Sequence, residues 1–155
     1  MNLLVFGSSS FSAQSFNYDV IKSNIFKTKN IYLLSRLNSN SEYVDLKDPN
    51  SLTVNLLKKE TIIVSFAPIW LLAEFLNKLS FKEKNYFKNI RFLISTSSTS
   101  AITKKYAYCK FDKKLSSQLI YSENQLVDIC KKYKISLEIV RTSLIYGGSA
   151  KKQDK

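Results

Sequence analysis

The first thirteen residues constrain the fold more than any other stretch. Leu3, Leu4, Val5 and Phe6 form an uninterrupted apolar run closed by Gly7. A run without polar alternation suits a strand buried on both faces of a parallel sheet, not the half-wet strand of an antiparallel one. Small residues follow at Ser8, Ser9, Ser10, Ser12 and Ala13, and a mixed apolar and polar segment extends from Gln14 to Phe26. Strand, tight small-residue turn and helix together open a nucleotide-binding βαβ unit. The turn is sharp enough for amide N–H groups at the helix N-terminus to meet a pyrophosphate.

The same alternation recurs along the chain. Further apolar runs predict strands at Ile31–Leu34, Tyr43–Leu46, Thr61–Phe66, Phe92–Ile94 and Ser136–Arg141. Between them, Asp48 caps a helix with Pro49 at its first position and Leu52, Leu56 and Leu57 as its buried stripe. Trp70, Leu71, Leu72, Phe75, Leu76 and Leu79 recur at helical spacing and read as core. Lys82 to Asn89 reads as a charged helix end or connection. A long helix from about Asp112 to Tyr133 places Leu115, Leu119, Leu126, Ile129, Cys130 and Tyr133 on one face, with Lys131, Lys132 and Lys134 suiting its C-terminal dipole. The expected architecture is α/β, a doubly wound parallel sheet of about six strands. One Rossmann domain would span residues 1–148, and residues 149–155 would form a polar C-terminal tail.

Composition narrows the chemistry. The 155-residue chain contains no histidine, which removes Ser-His-Asp and Cys-His catalysis and histidine-ligated metals. Cys109 and Cys130 are too few for a disulfide framework and lack metal-ligand spacing, so no metal site is expected. No stretch approaches a membrane span and no basic region precedes an apolar core, which makes the cytoplasm the default location. The formal net charge of +12 predicts non-specific attraction to polyanions. The lysines read as scattered rather than clustered with aromatics, so no specific nucleic-acid partner is expected.

Gly7, Ser10 and Ala13 occupy the three positions of G-x-x-G-x-x-G, and Phe11 matches the aromatic that often follows the second glycine. Asp45-Leu46 comes before Asp-Pro, a Ser/Thr run fills 95–100, and Arg141 to Gly147 reads Arg-x-x-x-x-Tyr-Gly. In this order the landmarks resemble the extended short-chain dehydrogenase/reductase family, which includes nucleotide-sugar epimerases and dehydratases. The resemblance implies an NAD or NADP cofactor and a nucleotide-sugar-like substrate in a hydride transfer. It implies that Gly7, Ser10, Phe11 and Ser12 cradle the phosphates, that Asp45 and Leu46 lie along the adenine, and that Ala67 and Pro68 pass beside the nicotinamide ribose. Ser98 would bond the substrate oxygen, with Ser97 as its neighbour. Arg36, at the end of the second strand, favours NADP, since a guanidinium there can accommodate a 2′-phosphate.

One departure bears directly on chemistry. Counting back from Glu123, the family's Tyr-x-x-x-Lys pair falls on Leu115 and Leu119. A second such spacing, Tyr106 and Lys110, would serve if the helix began early enough to carry both. The segment that holds substrate in the family would follow Gly147. Two readings therefore stand: an epimerase- or reductase-type enzyme, or a non-catalytic cofactor- or partner-binding relative, including a shortened remnant. Oligomeric state is not legible.

Overall fold

The computed structural model describes residues 1–23, 30–37 and 41–143. Its strands are β1 (Asn2–Phe6), β2 (Asn30–Ser35), β3 (Glu42–Tyr43), β4 (Thr61–Ser65), β5 (Ile90–Ser98) and β6 (Ser136–Thr142). They form one sheet in the order β3-β2-β1-β4-β5-β6, and every pairing is parallel. The helices are α1 (Phe11–Ser23), α2 (Ile69–Lys82), α3 (Lys84–Phe87), α4 (Ser100–Thr103) and α5 (Lys110–Tyr133).

The unbroken apolar run of β1 is explained by burial on both sides. Leu3 and Val5 pack with Val64 on one face, where Phe16 of α1 joins them. Leu4 and Phe6 enter the larger core with Leu34, Ile63, Leu93 and the apolar stripes of α2 and α5. Phe6 meets Phe75 edge-on at 5.7 Å between ring centroids. Each such buried side chain stabilises the fold by about 1.5–3 kcal/mol relative to exposure. Helices on both faces make the sheet doubly wound.

Three local expectations change. The third strand is two residues long, not Tyr43–Leu46, because the backbone of Asp45 turns away from β2: its N–H and C=O both engage the Ser51 hydroxyl, at 2.9 and 3.0 Å. The segment after Asp48 is not one helix but two 3-10 turns, Pro49–Ser51 and Val54–Leu57, separated by extended backbone at Leu52. Asp48 caps the first turn as expected, accepting from Asn50 N, and Leu52, Leu56 and Leu57 are buried as expected. Within the charged stretch 82–89, Phe87 is fully buried and packs on Tyr133, so α3 belongs to the core. Among the described residues no helix is long and apolar enough to cross a membrane. Leu144 to Gly148 and the tail lie outside the described residues, and with them the Tyr146-Gly147 landmark.

Candidate functional site

β1 sits where the strand order reverses, with β2 leading one way and β4 the other. Ligands of open α/β sheets bind at such a switch point, outside the carboxyl ends of the strands. Here the ends of β1, β2 and β4 open onto a cavity of about 320 Å³. Gly7, Ser10, Arg36, Asp45, Leu46, Ala67 and Pro68 all line it.

Gly7 is required by its backbone. Its φ is +69°, and a Cβ added there would lie 2.6 Å from Ala67 N and 2.9 Å from the carbonyl carbon of Phe66. The first turn therefore rests directly on the end of β4. Ser10 folds the turn by donating its N–H to Gly7 O at 2.9 Å, and its Oγ accepts from Ala13 N at 3.3 Å, capping α1. Ala13 is buried, so the helix approaches the sheet closely. Ser12 and Phe11 begin α1 but lie outside the cavity lining, and the Phe11 ring is exposed. Nearby, the Ser8 Oγ and the Asn17 Oδ1 are buried without a hydrogen-bond partner. Neither residue lines this cavity.

Ser9 and Ser35 also line this cavity, and reading the sequence did not single them out. Ser35 Oγ bonds Ser9 Oγ at 2.8 Å and accepts from Leu37 N at 3.1 Å, tying the first turn to the loop that carries Arg36. A hydroxyl directly at a strand end, beside an arginine, was the available signal.

A second cavity of about 230 Å³ adjoins the first across Phe66, Ala67 and Pro68. Thr96, Ser97, Ser98, Trp70 and Leu119 form its other walls. Trp70, read as core, packs on the core and faces this cavity as well. The hydroxyl run is not a loop following β5, because β5 itself continues to Ser98, paired with β6 throughout. The run has structural partners: Thr96 Oγ1 donates to Ser65 O, Ser97 Oγ to Glu123 Oε1 at 2.6 Å, and Ser98 Oγ accepts from Ser100 N. Hydroxyls here bind neighbouring strand and helix groups that a larger apolar side chain would leave unpaired.

Glu123 is 5% exposed and holds three hydrogen bonds, one from Ser97 and two from Arg141 at 3.0 and 2.6 Å. Burial pushes its carboxyl up, but the bonds from Arg141 and Ser97 and the guanidinium charge more than offset this, leaving it below the usual range. The Arg141 guanidinium is correspondingly raised by the same bonds. Glu123 and Arg141 thus form an ion pair that ties α5 to β5 and β6.

Tyr106 and Lys110 are not assembled as a pair. α5 begins at Lys110, so Tyr106 lies in the turn before it, 82% exposed, and the two do not share a helical face. Neither lines a cavity described above. Leu119, by contrast, is 3% exposed and faces the second cavity, so the position expected for the lysine is inside the site but apolar. Leu115 packs against the main core.

Neither a family model nor a curated protein matches the chain. Solved structures do. A reductase engineered to attenuate substrate inhibition aligns with a TM-score of 0.70 and 14% identity, over 97% of this chain and 60% of its own. CapF, a capsular polysaccharide assembling protein of Staphylococcus aureus, aligns at 0.63 and 19%, over 100% of this chain and 38% of its own. Gre2 of Candida albicans, in complex with NADPH, aligns at 0.62 and 15%, over 97% and 60% respectively. The chain thus spans between 38% and 60% of the length of these three structures. At such identities the likeness speaks for architecture, and with the strand order it establishes a doubly wound Rossmann fold of the kind that these proteins share.

Proposed function

We propose that the chain is the cofactor-binding part of an NAD(P)-dependent reductase- or epimerase/dehydratase-type protein, with NADP preferred over NAD. The observation that carries this is the pair of adjoining cavities at the switch point, joined across Phe66 to Pro68 and closed by the Gly7 turn. The N–H groups at the start of α1 would hold the pyrophosphate. Asp45 and Leu46 would lie along the adenine, and Arg36 would pair with a 2′-phosphate. Bound NADPH would supply the hydride. The Ser97 hydroxyl is committed to Glu123, which leaves Ser98 to donate to a substrate oxygen. The substrate proposed by resemblance is a nucleotide sugar.

A second reading, a non-catalytic relative, draws on one observation: Leu119 stands at the second cavity where an ionisable side chain would be needed. Among the described residues that line the cavity, none is ionisable. Without a group to exchange the alcohol proton, a factor of about 10²–10⁴ in rate is lost. Calorimetric titration with NADPH and NADH tests the first reading, and failure of both to bind at millimolar concentration would overturn it. Following NADPH absorbance and product isomers with a panel of nucleotide sugars separates the two: no turnover is expected from this chain alone. Turnover abolished by Tyr106→Phe or Lys110→Ala would restore the displaced pair.

A further inference from the structure

The positive charge of this chain is unevenly spread. Residues 100–114 contain five lysines and one carboxylate, Asp112. In the same segment Tyr106 is 82% exposed, Phe111 71%, and Tyr108 fully so, with Ile102 exposed beside them. The expectation of lysines scattered away from aromatics therefore fails at the α4–α5 turn. The turn is built, not loose. Ser116 Oγ donates to Ala101 O at 2.7 Å, seating α4 on α5, and Lys104 bonds Asp112 at 2.7 Å, removing the one negative charge. Lys105 lies over the Tyr106 ring at 5.4 Å. None of these aromatics lines either cavity.

We propose that the α4–α5 turn is a docking surface for single-stranded nucleic acid, with Tyr106, Tyr108 and Phe111 as stacking faces and Lys105, Lys110 and Lys113 pairing with phosphates. Sequence-independent binders of single strands combine these two elements, ring faces that accept any base and cations that track the backbone. The net charge of +12 adds long-range attraction. An anionic membrane fits less well. Binding in a membrane interface needs an apolar helix face, and the apolar face of α5 is already buried in the core through Leu119, Leu126 and Ile129. Tyrosine hydroxyls at the tip further favour a stacked, wet contact over insertion.

The test uses the whole chain and a fluorescein-labelled oligothymidylate, followed by anisotropy over a salt series. Tyr106→Ala/Tyr108→Ala is expected to weaken binding roughly 30-fold or more without changing the salt slope, since stacking is lost and charge is not. Lys105→Gln/Lys110→Gln/Lys113→Gln is expected to lower the slope of log K against log salt by about 2. The control, Lys58→Gln/Lys59→Gln/Lys88→Gln, removes equal charge elsewhere and is expected to change both far less. All these side chains are solvent-facing, and unchanged melting temperatures will show that the variants fold. The proposal is overturned by no binding, by equal losses in patch and control variants, or by tyrosine-independent binding. Tyrosine-dependent binding to phosphatidylserine vesicles, with none to the oligothymidylate, would overturn it in favour of a membrane.

Discussion

The two cavities share a wall but differ in what lines them. The first is walled by Arg36, Asp45 and the Gly7 turn, with amide groups at the start of α1 close by. The second has hydroxyls on one side and Trp70, Leu119 and Pro68 on the other. Behind it, Glu123 is engaged with Ser97 and Arg141. On the function proposed above, binding a charged ligand and performing proton transfer on its neighbour would be separable demands on one fold. The first needs backbone shape and a few fixed polar groups. On that proposal the second would need an ionisable side chain at one position, where this chain carries Leu119, packed into the core.

The first cavity depends on Gly7, and this is where the contrast breaks most easily. Gly7→Ala forces a side chain into left-handed backbone and against the main chain of Phe66 and Ala67. A cost of about 3 kcal/mol is expected, a fall in melting temperature of about 10 °C. Cofactor binding should be lost with it, as calorimetry would register. An unchanged melting temperature would mean that the turn can rearrange.

The wall behind the second cavity depends on the Glu123–Arg141 pair. Arg141→Ala should cost about 2–3 kcal/mol at neutral pH, discounted from a fully buried pair because Arg141 is 42% exposed. The pH dependence has a defined sign. Glu123 is held below its usual 4.5, so the pair's contribution is present above that value and is lost as pH falls through the folded-state value. The deficit of Arg141→Ala relative to the parent should therefore be greatest near neutrality and shrink below pH 4.5. Thermal melts at several pH values will check this, and a deficit that grows in acid would contradict the assignment.

Specificity in the first cavity is the sharper probe. Arg36→Ala should lower NADPH affinity roughly 10- to 150-fold, the range of a charge-assisted contact of about 1.5–3 kcal/mol, and leave NADH affinity unchanged. Equal affinity of the parent for both cofactors would remove the role assigned to Arg36 and leave the fold untouched. The smallest effect is expected at Ser35, whose hydroxyl joins the first turn to the Arg36 loop. Ser35→Ala should cost about 1 kcal/mol, seen as a melting shift of about 3 °C. A modest loss of NADPH affinity should accompany it.

Much of the molecule was legible residue by residue. Leu3 to Phe6 reads as doubly buried because no polar residue interrupts it, and the apolar stripes of α2 and α5 keep helical spacing, broken in α5 only by the buried Ser116, Ser122 and Glu123. Where reading failed, long-range partners decided. Ser95 to Ser98 look like a loop until Ser65, Glu123 and the paired strand β6 supply their hydrogen bonds. Asp45 and Leu46 look like strand until the Ser51 hydroxyl captures the Asp45 backbone. Phe87 looks like part of a charged connection until Tyr133, distant in sequence, packs against it.

By itself the sequence determined the alternation of strand and helix, the number of strands, the Gly7 turn and the stripes that make the core. These are local matters of periodicity and backbone freedom, carried by residues close together along the chain. Only the tertiary structure decided that Arg36, Asp45 and Ala67 meet at one cavity, that Leu119 occupies the next, and that Glu123 is paired with Arg141 and Ser97. Those facts depend on which strands lie side by side, and side-chain chemistry acquires its meaning only from the neighbours that the sheet order supplies.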